Sequence, residues 1–149
     1  MQYPQLLFLL LPVYLATGCI RKVDDREQIK KLLVKESATW RNGDGKAHAD
    51  CWIITPESRI LVSLPDGRHF DVPPANMIDE HIKAAGGHAE NSNYRITISG
   101  NLAVVQHDEV STDTAGQQSY SHETRILLRT AKGWKLNGQS LHIYKPAGN

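Results

Sequence analysis

Cysteine is scarce: Cys19 and Cys51 are the only two in 149 residues. Two cysteines cannot make a disulfide framework, so packing must hold the fold. An excess of one charge is also missing, since 17 Lys and Arg face 16 Asp and Glu. With no basic stripe for a phosphate backbone to follow, no nucleic-acid partner is expected. Acidic tails, low-complexity tracts and internal repeats are absent, and the length suits a single domain able to bury a core unaided. One long apolar run exists, Leu6 to Leu15, at the N-terminus.

That run, followed by small residues and Cys19, reads as the core and cleavage region of a secretory signal over residues 1–18, with 19–22 a short linker. Ala16-Thr17-Gly18-Cys19 resembles a bacterial lipobox. The resemblance implies that Cys19 is lipidated and that the exported chain sits on a cell-envelope membrane through that lipid alone. Arg21-Lys22 come after the apolar run, which by the positive-inside rule also fits an uncleaved N-terminal transmembrane anchor. Cys51 is then left alone. Between Ala49 and Trp52 in a helical stretch, it reads as a small core residue.

Past Arg21-Lys22 the spacing turns helical. Asp25 is placed to cap a first helix with Gln28 as its box partner, and Ile29, Leu32, Leu33 and Trp40 fall near one face. Gly43 suits a left-handed C-cap and Asp44 the start of a short second helix carrying Ala47, Cys51 and Trp52. Ser58 to Val72 reads as a hairpin folded at Asp66-Gly67. Pro73-Pro74 open a third helix, with Met77, Ile78, Ile82 and Ala85 on its apolar face and Gly86-Gly87 at its end. After "GGHAENSN" the period falls to two, through Tyr94, Ile96 and Ile98, and four strands follow. Helices first and an antiparallel sheet afterwards predict an α+β domain.

The Gly43-Asp44 corner, the Asp66-Gly67 hairpin and Gly133-Trp134-Lys135-Leu136 opening the last strand occur in an order that resembles the nuclear transport factor 2-like superfamily. Its polyketide-cyclase (SnoaL-like) and ketosteroid-isomerase-like branches are the most similar. The resemblance implies a cone over residues 23–146: a curved antiparallel sheet wrapped around the N-terminal helices, with a single pocket. It also implies a small apolar or carbonyl-bearing ligand and a homodimer through sheet faces. The isomerases' carboxylate base has only Asp66 to match it, and the turn explains that residue. The Asp-Arg-Asp set of the related epoxide hydrolases has no counterpart. The family's activities therefore do not carry over, and the chain calls for no cofactor.

A three-residue loop Ala131-Lys132-Gly133 pairs Thr130 with Trp134, Leu128 with Leu136, Thr124 with Ser140 and His122 with His142. Uniform alternation then sends Trp134, Leu136, Leu128 and Ile126 into the cone, and Glu123, Arg125, Arg129 and Lys135, with Leu127, Leu141 and Ile143, to the opposite face, which suits a dimer interface. A loop centred near Ala115 brings Asp108 beside His122. The expected pocket is thus Trp40, Trp52, Gln106, Asp108, His122, Thr124, Ser140 and His142. His122, His142 and Asp108 are the catalytic candidates, since a carboxylate-oriented His can act as general base. The same residues equally fit hydrogen-bonded side chains at a pocket rim. Two His and one Asp could also hold a divalent ion, but strand register fixes ligand spacing loosely, and no metal is expected. His48, His69, His81 and His88 read as surface or loop residues. Two functions follow: an exported small-molecule-binding domain without a catalytic set, or a lyase or isomerase using a pocket His as base.

Overall fold

The computed structural model describes residues 24–146. The signal, the linker and Cys19 lie outside them. Helix α1 runs Asp25–Asn42 and α2 Gly45–Ala49. Strands follow as β1 Ile60–Ser63, β2 His69–Val72, β3 His88–Ser99, β4 Leu102–Thr112, β5 Gln118–Thr130 and β6 Gly133–Tyr144. They form one curved, unclosed sheet in the order β2-β1-β6-β5-β4-β3. The long strands pair antiparallel, and β1 joins the edge of β6 in parallel. This is the expected α+β cone. No helix among the described residues is long and apolar enough to cross a membrane.

The cap of α1 is Asp24, whose side chain accepts from the Arg26 amide at 3.1 Å. Asp25, expected in that role, instead receives Arg129 and the Trp134 indole, tying the helix start to the last hairpin. At the other end Gly43 takes the left-handed conformation at φ 72°, and Asp44 caps α2 through the Ala47 amide. Ile29 and Leu33 of α1 are buried against Trp52, Val105, Leu127, Trp134 and Leu136, and this is the apolar core.

The third helix is only a 3₁₀ turn, Pro74–Ile78. Beyond it the chain extends across the α1–α2 corner, with Gly86 N–H bonded to the Arg41 carbonyl. A Cβ on Gly45 would stand 2.2 Å from the Glu80 carbonyl oxygen, so the two backbones touch. Backbone docking prevails there over the helical spacing of Met77, Ile82 and Ala85. "HAENSN", read as loop, is instead the start of β3, with a bulge between Ser92 and Arg95.

The last hairpin decides which side chains enter the cone. Thr130 pairs with Gly133, so the turn has two residues, Ala131 and Lys132. Leu127 then faces Leu136, not Leu128. An extra residue, Asn137, bulges from β6 and restores the expected pairs Thr124–Ser140 and His122–His142 farther on. Asn137 is buried and its Nδ2 reaches the Ile53 carbonyl, Thr55 Oγ1 and Ser58 Oγ at 3.0, 3.2 and 2.8 Å. Across this bulge the pleat of β6 changes parity. Leu127, Arg125, Glu123 and Ser121 are buried, while Ile126 is 39% exposed. The inner and outer sets of β5 are therefore the reverse of those expected.

Candidate functional site

A cavity of about 610 Å³ opens between α1, α2, the 3₁₀ segment and the inner sheet face. Ile60, Val62, Val72, Met77, Ile82 and Leu141 give it apolar walls, and Trp40 stands at its edge, 44% exposed. Its floor is charged. Glu36, on the buried stripe of α1, accepts from His48 Nε2 at 3.1 Å and from Trp52 Nε1 at 3.3 Å. Arg125 of β5 lies 3.6 Å from Glu36, donates from Nε to Glu123 at 2.8 Å, and also reaches Gln139. Arg41 donates to Glu109 Oε1 at 3.1 Å, and Ser111 Oγ donates to the same oxygen at 2.8 Å.

Local sequence explains this placement. Alternation along β4 sends Ala103, Val105, His107 and Glu109 inward, and along β5 Leu127, Arg125, Glu123 and Ser121. Each strand runs from apolar residues near the core to charged ones under the cavity. The charges are held by one another, as buried ions must be. Burial alone would raise the Glu36 carboxyl, but the Arg125 charge and the hydrogen bonds from His48 and Trp52 outweigh it, leaving it below its ordinary value. Glu109 goes the other way. Burial, then the like charge of Glu123, lifts it above the ordinary carboxylate range, and Ser111, Arg125 and Arg41 offset this only in part. Burial lowers His107, with Glu123 opposing; its Nε2 stays 3.6 Å from Glu123, too long for a hydrogen bond. Cys51 is buried, its thiol pushed up by that burial, and it donates to the Ala47 carbonyl.

The expected site residues divide between the two sides of the sheet. Trp40 lines the cavity, and Trp52 is buried beneath it. Asp108 and His122 do meet, Oδ1 to Nδ1 at 2.7 Å, with Asn93 Nδ2 on the other carboxylate oxygen at 2.6 Å. They lie outside the cone. So does His142, which pairs with His122 and whose Nε2 is hydrogen-bonded to Ser140 Oγ at 3.1 Å. These residues, with Gln106 and Thr124, border an open depression on the outer face. The His122 side chain is 63% exposed, with its ring stacked 4.5 Å from that of Tyr144. Hydrogen bonds from Asn93 and His122 hold Asp108 below its ordinary value. Among the described residues no three His, Cys, Asp or Glu side chains converge on a possible metal position. The inward placement of His122, His142, Thr124 and Ser140 is thus overturned by the turn length and the Asn137 bulge. The face expected to carry a dimer, with Glu123, Arg125, Leu127 and Leu141, is the interior.

Glu36, Arg41 and Glu109 were not singled out, and His48, Glu123 and Arg125 were assigned to outer surfaces. His48, read as a surface residue, is 2% exposed. A signal for the strand residues was present: the register that sets Asp108 against His122 also sets His107 against Glu123 and Val105 against Arg125. Glu36 and His48 had none, because their pairing spans the α1–α2 corner.

No family model matches this chain, and no curated protein matches it. Solved structures do. A function-unknown protein from Mycobacterium tuberculosis superposes with a TM-score of 0.63 at 19% identity, covering 83% of this chain and 78% of that one. An NTF2-like protein with a cystatin-like fold from Novosphingobium aromaticivorans gives 0.60 at 17%, covering 83% and 84%. An NTF2-like protein of unknown function from Shewanella baltica gives 0.58 at 17%, covering 84% and 98%. At such identities the likeness concerns architecture alone. Helices on a curved six-stranded sheet, a cavity between them and these superpositions agree: the chain has the nuclear transport factor 2-like fold.

Proposed function

We propose that this chain is a small-molecule-binding domain, exported and held at a membrane through lipidated Cys19, with its ligand in the inner cavity. The observation that carries this reading is the cavity itself: about 610 Å³, apolar walls and a few converging polar groups on its floor. Pockets for small ligands commonly have this size and this division of labour. Mass spectrometry of the full-length chain, native and then denatured, should release a co-purified small molecule. Leu141→Trp, which fills the cavity, should abolish its recovery; equal recovery from both proteins would place the ligand elsewhere. Palmitate labelling with and without a lipoprotein signal-peptidase inhibitor tests the anchor, and an unlabelled, uncleaved chain refutes it.

The homodimer implied by the family resemblance would use the outer face, where Leu102 and Ile126 are 43% and 39% exposed. Light scattering reads this directly, and a monomer at high micromolar concentration refutes it.

One observation favours a second reading, a lyase or isomerase. His48 lines the cavity and is oriented by Glu36, the arrangement a general base needs. Deuterium exchange beside the carbonyl of small cyclic ketones, followed by NMR, would be the activity. His48→Gln should slow it about a hundredfold, the lower scale for losing a general base. No exchange above the rate in buffer ends this reading.

A further inference from the structure

We propose that the cavity takes a molecule with an apolar body and a protonated amine, the amine seated against Glu109. The inference rests on the cavity being the binding site and names the chemistry it accepts. Its first ground is that the guanidiniums are occupied. Arg125 is turned onto Glu123, Gln139 and Glu36, and Arg41 onto Glu109 and Ser111. A carboxylate or phosphate entering the cavity would find no open fork and would meet carboxylates instead. Four carboxylates line the cavity, Glu36, Asp79, Glu109 and Glu123, against two cations, Arg125 and Lys83, with Arg41 behind Glu109 as a third.

The second ground is which atoms are left without hydrogen-bond partners. Both hydrogen bonds to Glu109 arrive at Oε1, and neither reaches Oε2. Glu109 itself is 8% exposed and lines the cavity. Buried polar atoms are nearly always partnered, so this open oxygen marks a position for a ligand group. An acceptor asks for a donor, and a carboxylate favours a cationic one. Burial and then the like charge of Glu123 lift Glu109, and an ammonium group beside it would offset both by favouring the ionised carboxylate.

The test titrates the full-length chain with 2-phenylethylamine, 2-phenylethanol and 3-phenylpropionate, read by NMR at the His48 ring nitrogens and the Trp40 indole. The amine should bind at least about tenfold more tightly than the alcohol, a factor set by roughly one charge-assisted hydrogen bond. The amine should move the His48 ring and Trp40 indole signals, and 3-phenylpropionate should leave both unchanged. Propionate binding as tightly as the amine would overturn the inference while leaving the cavity as the site. Silence of all three probes at both residues would overturn it too, and the co-purified ligand would then judge the cavity separately. Glu109→Gln should weaken the amine about tenfold and the alcohol hardly at all, the difference being the lost ionic partner. Equal loss for both would deny Glu109 its role. If this variant does not fold, the three-probe comparison in the wild-type chain decides alone.

Discussion

Two histidine–carboxylate pairs lie on opposite sides of one sheet. Outside, His122 and Asp108 meet at 2.7 Å with side chains 63% and 32% exposed; inside, His48 and Glu36 meet at 3.1 Å with 2% and 8%. The outer contact is shorter and yet the weaker determinant of the fold. Water screens an exposed pair and solvates either partner if the other is lost, so such pairs contribute about 0–1 kcal/mol. The inner pair has no water to fall back on, and Glu36 also faces Arg125 and holds the Trp52 indole. Distance alone therefore ranks the two pairs the wrong way round. Surroundings decide which pair matters.

The sharpest way to break this comparison is Glu36→Gln. It removes the carboxylate that His48 and Trp52 share and leaves Arg125 with Glu123 as its buried counter-ion, and the loss should be about 3–5 kcal/mol, the scale for removing one partner of a buried ion pair. Urea unfolding of the full-length chain measures it, and a loss below that of an exposed pair would contradict the ranking. Asn137→Ala comes next. Three acceptors at Ile53, Thr55 and Ser58 lose their common donor, for about 1–3 kcal/mol.

Glu109→Gln is expected to be milder, because folding already disfavours the Glu109 anion. The sign of its pH dependence follows. A carboxyl raised on folding binds more protons in the folded state, so its contribution to stability falls as pH rises from its ordinary value of 4.5 through its raised one. Glu36, lowered on folding, does the reverse: it stabilises above 4.5, and that contribution is lost as pH drops through its depressed value. Removing Glu109 should therefore make the slope of stability against pH more positive above 4.5 than in wild type, read from urea midpoints across that range. Smallest of all, His122→Ala should change stability by less than about 0.5 kcal/mol after screening and should leave amine binding in the cavity unaltered.

The fold was legible because its punctuation is local. Gly43, Asp44, Asp66-Gly67 and the period-two runs each act within a few residues, and they place their elements as read, save that β3 begins at His88 and not near Tyr94. The pairing of Asp108 with His122 and of His122 with His142 was legible too. What failed was the step from pairing to facing. The two-residue turn puts Arg129 on the face that carries Leu136, and Arg129 is accommodated there at the rim, stacked 4.3 Å from the Trp134 ring and paired with Asp25. His48 shows a different limit. Nothing near it in the chain explains its burial; only Glu36, twelve residues away across the corner, does.

Asn137 also bears on how this chain should be compared with others. The residues on either side of the bulge already occupy the faces they would have in an unbroken ladder, Leu136 against Leu127 and Gly138 against Ile126. Deleting Asn137 would close the ladder without turning any other side chain around, though it would release the tie to Ile53, Thr55 and Ser58. Position 137 is therefore where an alignment should open a one-residue gap. Placed elsewhere in the strand, the same gap would match residues that face the cavity here with residues that face solvent in the other chain, and Leu141 and His142 would trade identities on paper.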